Sequence, residues 1–324
     1  MSNANKTLLF EAISAADAQK LWADSPVATA FTNPEVLARI VDKVEWWGVY
    51  RSEQLIIAWP VCTNRDVVGV RPDLSYYVGP IIDAEIFTFK LHRYWSIYAE
   101  CLAFAVRSLV DRYRNLRFAL HYATQDLRPL LWAFQEMKLD HCLRIVPRYS
   151  AILALAEVPD ERELFQNLAR NRKREIKRHV GSDLLEDLNC SPKEVFRLYE
   201  TALERQGEQP TDDRMEALSK LFGCIQSTRG CIRGWRNPES GRLASVIALL
   251  YGRDDANNVL CVADRDRRDQ GLTAWTTWQG IRKAMADGMS VFDFNGANSP
   301  LRAADKHYYG AQPVLYFAVE WAVS

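Results

Sequence analysis

The sequence has no long apolar run, no excess of charge of one sign and no paired cysteine motif. None of its 324 residues lies in an apolar stretch near the roughly 18 residues that a membrane-spanning helix needs. Lysine plus arginine (41) equals aspartate plus glutamate (41), so net charge provides no general attraction to DNA or to an anionic membrane. A contact with phosphates must therefore come from a local basic patch.

The seven cysteines are an odd number spread along the chain, and no Cys-x-x-Cys pair occurs. Zinc spacing is absent, because Cys224 and Cys231 have no histidine near them. We interpret all seven as reduced, buried, small hydrophobic residues and predict no metal site. The first residues, MSNANKTLLF, lack the basic and apolar parts of a secretion signal, so we expect a cytoplasmic protein.

Length and periodicity predict two similar domains, residues 1–156 and residues 157–324. Each half has the order helix, helix, three strands, helix, strand, helix, strand. The third strand of the first half is predicted to end in Tyr76–Pro80, and a single charged helix over about 160–180 opens the second half. The fold class is therefore α/β (α+β), with two mixed, mostly antiparallel twisted sheets flanked by helices.

The densest charge cluster runs from Arg170 to His179, where six of ten residues are lysine or arginine. Four of these basic residues lie three or four positions apart and share one helix face: Arg170, Arg174, Lys177 and Arg178. Such a face could hold the phosphates of a nucleotide-linked substrate or of a tRNA backbone. The alternative is an ordinary solvated helix face.

A polar loop, Arg268-Asp269-Gln270-Gly271-Leu272-Thr273, lies between a predicted strand and a predicted helix. A glycine there lets the backbone approach a ligand, and the free amides at the start of the helix face phosphates. Arg268, Gly271 and Thr273 are therefore candidate phosphate-binding residues. The alternative is a polar turn with Thr273 as the helix N-cap.

The most specific stretch begins with Asp293-Phe294-Asn295-Gly296 and continues, after a short helix, with Lys306-His307-Tyr308-Tyr309-Gly310. We expect Lys306 at the mouth of the sheet, where a cation neutralises a phosphate or a developing oxyanion. Otherwise it is a surface lysine. Asp293 either orients an attacking amine or caps the turn, and capping is favoured. His307 is a weaker candidate for a general base.

Four stretches, in this order, resemble the FemA/FemB-type acyltransferases, which have two GNAT-like domains in one polypeptide. They are Tyr77–Pro80; Arg148–Leu155 with Leu168–Arg178; Leu198–Gly207; and Asp293–Gly296 with Lys306–Gly310. The loop from Arg268 to Thr273 is similar to the acyl-CoA pyrophosphate loop of GNAT enzymes, which implies that Arg268, Gly271 and Thr273 bind the donor. The resemblance implies two tandem GNAT-like domains and transfer of an acyl or aminoacyl group to an amine.

The resemblance further implies acyl-CoA or aminoacyl-tRNA as co-substrate, with no permanently bound cofactor. The expected partner is an amine acceptor with a phosphate or nucleotide, such as a cell-envelope (peptidoglycan) precursor or a sugar; tRNA is one alternative donor, and neither DNA nor a membrane segment is expected. Lys306 and Asp293 are then the catalytic candidates. The candidates for substrate or phosphate contact are Arg170, Arg174, Lys177, Arg178, Tyr77 and Tyr309.

No Ser-His-Asp or Cys-His spacing is evident, which argues against a covalent acyl-enzyme. The favoured mechanism is direct attack of an amine, deprotonated through a carboxylate or water, on a thioester or aminoacyl ester. A strand amide and Lys306 would stabilise the oxyanion. The rival hypothesis is a non-catalytic binding protein that retains the GNAT fold.

Overall fold

The structure, a computed structural model, describes residues 7–204, 207–227, 229–264 and 271–323. These residues form two units, one of residues 7–148 with 315–323 and one of residues 149–314. The predicted division at 156/157 differs from these units in two places. Residues 149–156 lie in the second unit and residues 315–323 lie in the first, because strand pairing and not sequence distance assigns them.

The first unit contains an antiparallel sheet in the order β1-β2-β3-β4, with β5 paired to β3. The strands of the first unit are β1 Leu8–Ile13, β2 Lys43–Arg51, β3 Gln54–Asn64, β4 Val67–Val70, β5 Ile81–Ile82 and β6 Asn115–Ala119. Of these, β6 pairs with β13 (Gln312–Ala322) and is not part of this antiparallel sheet. Its helices are α1 Ala15–Asp24, α2 Pro34–Ile40, α3 Ala84–Phe87, α4 Leu91–Arg112 and α5 Arg128–Glu136, with 3₁₀ turns at Ala30–Thr32 and Asp140–Cys142.

Helix α4 carries the apolar face that covers the core of the first unit. Its buried residues Leu102, Val106 and Leu109 recur at the spacing of one helix face and belong to the same cluster as Trp59. Trp321, near the C-terminus, is buried in this cluster too. Burying a large apolar side chain contributes about 1.5–3 kcal/mol, so this packing ties the C-terminal part of the last strand to the first unit.

The second unit contains a mixed sheet in the order β7-β12-β11-β10-β9-β8. Its strands are β8 Leu185–Asp187, β9 Gly230–Arg236, β10 Leu243–Tyr251, β11 Asp255–Ala263 and β12 Val291–Asp293, while β7 Leu143–Ala154 and β13 Gln312–Ala322 each have residues in both units. Its helices are α6 Glu161–Asn167, α7 Arg170–Lys177, α8 Pro192–Glu204, α9 Asp212–Ser227, α10 Leu272–Ala286 and α11 Pro300–His307.

Strands β11 and β12 run parallel, whereas the other strand pairs of the second unit's sheet are antiparallel. Their register joins three residue pairs and ends at Asn257 opposite Asp293. Beyond that point β12 stops, while β11 continues to Ala263. The predicted mixed, mostly antiparallel sheet is confirmed, and this sheet opens where the two parallel strands separate.

Three local predictions were wrong. The charged helix over 160–180 is two helices, α6 and α7, because Leu168 has extended backbone and the Ala169 amide donates to the Tyr308 carbonyl at 2.9 Å. The stretch Tyr76–Pro80 is not a strand, although the Val78 carbonyl accepts from the Ala119 amide at 2.8 Å. Strand β1 was missed. No helix in the described part of the chain has the length and apolar character needed to cross a membrane.

Candidate functional site

A buried polar cluster lies where β12 ends, and it contains both predicted catalytic residues. Lys306, on α11, is only 9% exposed, so the surface-lysine alternative is wrong. Its Nζ donates to the carbonyl oxygens of Asn295 and Gly296, the latter at 2.6 Å. The ammonium group therefore holds the turn that follows the strand.

The turn itself follows from the residues that form it. Asn295 and Gly296 both have φ of 53°, a left-handed conformation that asparagine and glycine tolerate better than other residues. Asp293 is 2% exposed, and its Oδ1 accepts from the Asn295 amide at 2.7 Å and from Ser150 Oγ at 2.5 Å. Asp293 thus caps the turn and fixes β12 to β7.

Burial lowers the pKa of Lys306 to about 8; the charge of Asp293 opposes this effect and that of Arg302 adds to it. At neutral pH the amine is mostly protonated, but it titrates close to physiological conditions. The nearby Asp293 carboxylate favours the charged form. The cluster therefore places a positive charge in a site that is largely shielded from water.

Three asparagines at the separation of β11 and β12 carry buried side-chain oxygens with no hydrogen-bond partner among the described residues: Asn257, Asn258 and Asn295. Asn257 lies opposite Asp293 in the strand register, and Asn295 Nδ2 donates to the Asn258 carbonyl at 3.2 Å. A buried polar atom left unsatisfied costs about 1–3 kcal/mol. These oxygens could accept hydrogen bonds from an amide or amine.

The predicted basic face lies on α7 and its C-cap, and Arg170, Arg174, Lys177 and Arg178 are all exposed. The sequence reasoning missed Arg172, which is 6% exposed. Its guanidinium pairs with Glu175 at 2.8 Å and Asp305 at 2.5 Å and lies 4.6 Å from the Tyr309 ring centroid. Arg172 and Ile176 are four residues apart and both buried. This helical spacing was the sequence signal that could have identified Arg172 as buried.

The predicted donor loop is described only from Gly271 onward, and Arg268 lies outside the described residues. Gly271 is the N-cap of α10 with φ of 88°, and a Cβ there would lie 2.7 Å from Glu175 Cβ. Only glycine suits this conformation and close approach. Thr273 is inside the helix, so the alternative that made it the N-cap is wrong. The start of α10 contacts α7 at Glu175.

The two tyrosines proposed to contact substrate are both buried, each in a different unit. Tyr309 is 1% exposed and its hydroxyl donates to the Ala274 carbonyl at 3.1 Å, which ties the end of α11 to α10. Tyr77 packs edge-on against His121, Tyr122 and Tyr316 in the first unit, with ring centroids 5.0–5.7 Å apart. Neither position favours direct substrate contact.

Two further predictions concern His307 and the cysteines. His307 is exposed, and its Nδ1 lies 2.8 Å from the Ala311 carbonyl oxygen. The seven cysteines are free; four are buried and three are half-buried. Within the described ranges, no three His, Cys, Asp or Glu side chains are grouped so that they could hold a metal ion.

Comparisons with solved structures identify a similar fold, whereas comparisons of the sequence find no match. No protein-family model and no curated protein sequence matches the chain. The structure of FemX is similar over 96% of both chains, with a TM-score of 0.67 and 10% identity. A tandem GNAT protein from the clavulanic acid biosynthesis pathway is similar over 98% of both chains, with a TM-score of 0.54 and 12% identity.

L-PGS from Bacillus licheniformis is similar over 96% of this chain and 93% of its own, with a TM-score of 0.52 and 10% identity. Similarity at this level of identity establishes the fold, and fold alone does not establish activity. The chain therefore has a FemX-like tandem GNAT fold, as the four sequence stretches predicted.

Proposed function

We propose that the protein is an acyltransferase. It would move an acyl or aminoacyl group from acyl-CoA or aminoacyl-tRNA to an amine of a phosphate-bearing cell-envelope precursor or sugar. The observation that supports this most directly is the separation of the parallel strands β11 and β12 at Asn257 and Asp293, beside the buried Lys306 cation. The tandem GNAT fold is consistent with the same reaction.

The separated strands suit an extended donor. Beyond Asn257, β11 continues without β12 beside it, so its backbone amides and carbonyls can pair with an extended, amide-containing chain. Phosphates of the donor would lie near the start of α10 at Gly271, next to α7 and its exposed arginines. This arrangement favours a long donor with a phosphate group at one end.

The reaction joins the acceptor nitrogen to the acyl carbon and breaks the carbon–sulfur or carbon–oxygen bond to the donor. The amine loses one proton, for which Asp293 is the candidate carboxylate, directly or through water. The leaving thiolate or alkoxide gains a proton. Lys306 uses two hydrogens on the Asn295 and Gly296 carbonyls, so its third can stabilise the oxyanion or hold a substrate phosphate.

The test is a transfer assay by mass spectrometry, with acetyl-CoA and aminoacyl-tRNA as donors and amino sugars and nucleotide-linked precursors as acceptors. Lys306→Gln keeps two N–H donors for the turn but removes the charge, whereas Lys306→Met removes both. We expect each variant to lose about 100-fold or more in kcat/KM, as for loss of one oxyanion donor. Lys20→Met, at a surface position 79% exposed, is the matched control.

A Lys306→Gln variant that folds and transfers at the rate of the unaltered protein would remove Lys306 from the mechanism. Thermal denaturation with acetyl-CoA distinguishes the donors, because a ligand at 100 times its Kd stabilises by about 2.7 kcal/mol. If no donor is used and neither CoA nor tRNA binds, the chain is the non-catalytic binding protein instead.

A further inference from the structure

The first unit has a small basic pocket whose residues differ from the candidates for acyl transfer. Its volume is about 140 Å³, and its charged lining residues are Arg71, Arg117, Arg144, Arg148 and Glu320. At about 30 Å³ per water molecule, this space is large enough for one compact group.

Strand geometry brings the arginines to one place. Arg144 and Arg148 are four residues apart on β7, so they point to the same face of the strand. Arg117 on β6 is directly opposite Glu320 on β13. Gly69, with φ of 78°, lets β4 approach β6 so closely that a Cβ would lie 2.2 Å from the Asn115 carbonyl oxygen. Arg71 follows that strand.

The pocket holds more positive charge than its own residues neutralise. Four guanidinium groups and one carboxylate give a formal charge of +3. Glu320 is already paired with Arg117 at 3.2 Å. In the part of the chain that the structure describes, no ion pair or hydrogen bond from a side chain of Arg71, Arg144 or Arg148 is present. The chain has zero net charge, so this concentration of arginine is a local feature.

We propose that this pocket binds a phosphate or diphosphate group of a small molecule. The planar guanidinium fork matches phosphate oxygens in a bidentate way, and several arginines around one small cavity favour a multiply charged anion. The pocket lies in the first unit, whereas α7 lies in the second. The residues of this pocket therefore differ from those proposed to contact phosphate in acyl transfer.

The test measures binding of inorganic pyrophosphate to the full chain by isothermal titration calorimetry. We expect Arg144→Gln with Arg148→Gln to weaken binding at least tenfold, since hydrogen bonds to charged groups are among the strong ones. Arg114→Gln removes the same charge from another exposed position of the first unit and should change Kd less than twofold. Glu320→Gln removes the acid and should tighten binding severalfold.

Unchanged Kd in the Arg144/Arg148 variant, or a loss confined to Arg174→Gln with Arg178→Gln on α7, would overturn the proposal. Repeating the titration with ADP shows whether the bound phosphates belong to a nucleotide. If tRNA binds through Arg144 and Arg148 but pyrophosphate does not, the pocket is part of a nucleic-acid surface and the small-molecule proposal is wrong. Equal melting temperatures verify that the variants fold.

Discussion

His121 in the first unit and Lys306 in the second are both buried bases, and the two differ in the charge they can carry. His121 in the first unit is 8% exposed, and burial lowers its pKa to about 3; Lys306 in the second has a pKa lowered to about 8. His121 Nδ1 accepts from the Ala123 amide at 3.2 Å, which requires an unprotonated nitrogen. Lys306 donates to two carbonyls. Lys306 is therefore a buried cation at neutral pH, whereas His121 is a buried neutral base.

The surroundings of the two bases explain this difference. Beside His121, Tyr77 has φ of 55°, a conformation that costs a non-glycine residue about 1–2 kcal/mol, and aromatic rings pack around it. Beside Lys306, the left-handed residues are Asn295 and Gly296, and their two backbone carbonyls accept from the ammonium. Aromatic packing suits a neutral structural base, whereas converging carbonyls suit a cation that can meet an anionic group.

The largest expected effect concerns the titration of His121 in the first unit. As pH falls from 6.5 toward 3, unfolded His121 binds a proton that the folded protein does not, so the unfolding free energy of the unaltered protein decreases. His121→Asn keeps an acceptor for the Ala123 amide but lacks this titration. The stability advantage of the unaltered protein over the variant should shrink by up to about 5 kcal/mol across this range. Urea unfolding at several pH values measures it, and a constant difference would refute it.

The titration of Lys306 should change the unfolding free energy at high pH, whereas that of His121 changes it at low pH. Between pH 8 and 10.5, unfolded lysine is protonated while folded Lys306 is not, so the unfolding free energy should rise with pH by up to about 3 kcal/mol. Below pH 8 the burial penalty is fully present. Lys306→Met should lack this rise and Lys20→Met should retain it. If all three proteins have parallel pH profiles, the Lys306 pKa is not lowered.

The smallest expected effect concerns Tyr309. Tyr309→Phe removes the hydrogen bond to the Ala274 carbonyl and should cost about 1 kcal/mol of unfolding free energy. Because the ring is buried, kcat/KM should change less than about twofold, in contrast to the Lys306 variants. A large loss of acceptor binding with unchanged stability would restore the substrate role predicted for Tyr309.

Local sequence signals located much of the candidate site. The Asp293-Phe294-Asn295-Gly296 stretch correctly marked the strand end and its turn, and Pro300–His307 was predicted as the helix that carries Lys306. These features depend on residues close together in sequence. The buried partners of Lys306 could not be derived this way, because periodicity does not show which backbone carbonyls a side chain reaches.

By itself the sequence determined the tandem fold, the turn after β12 and most of the element order, because cap residues, turn residues and apolar spacing act over a few positions. Tertiary structure decided which basic residue of α7 is buried, because Arg172 forms an ion pair with Asp305 of α11. It also decided that Trp321 completes the first unit's core and that Arg71 and Arg148 line one pocket. Such contacts join residues far apart in the chain, and packing alone selects them.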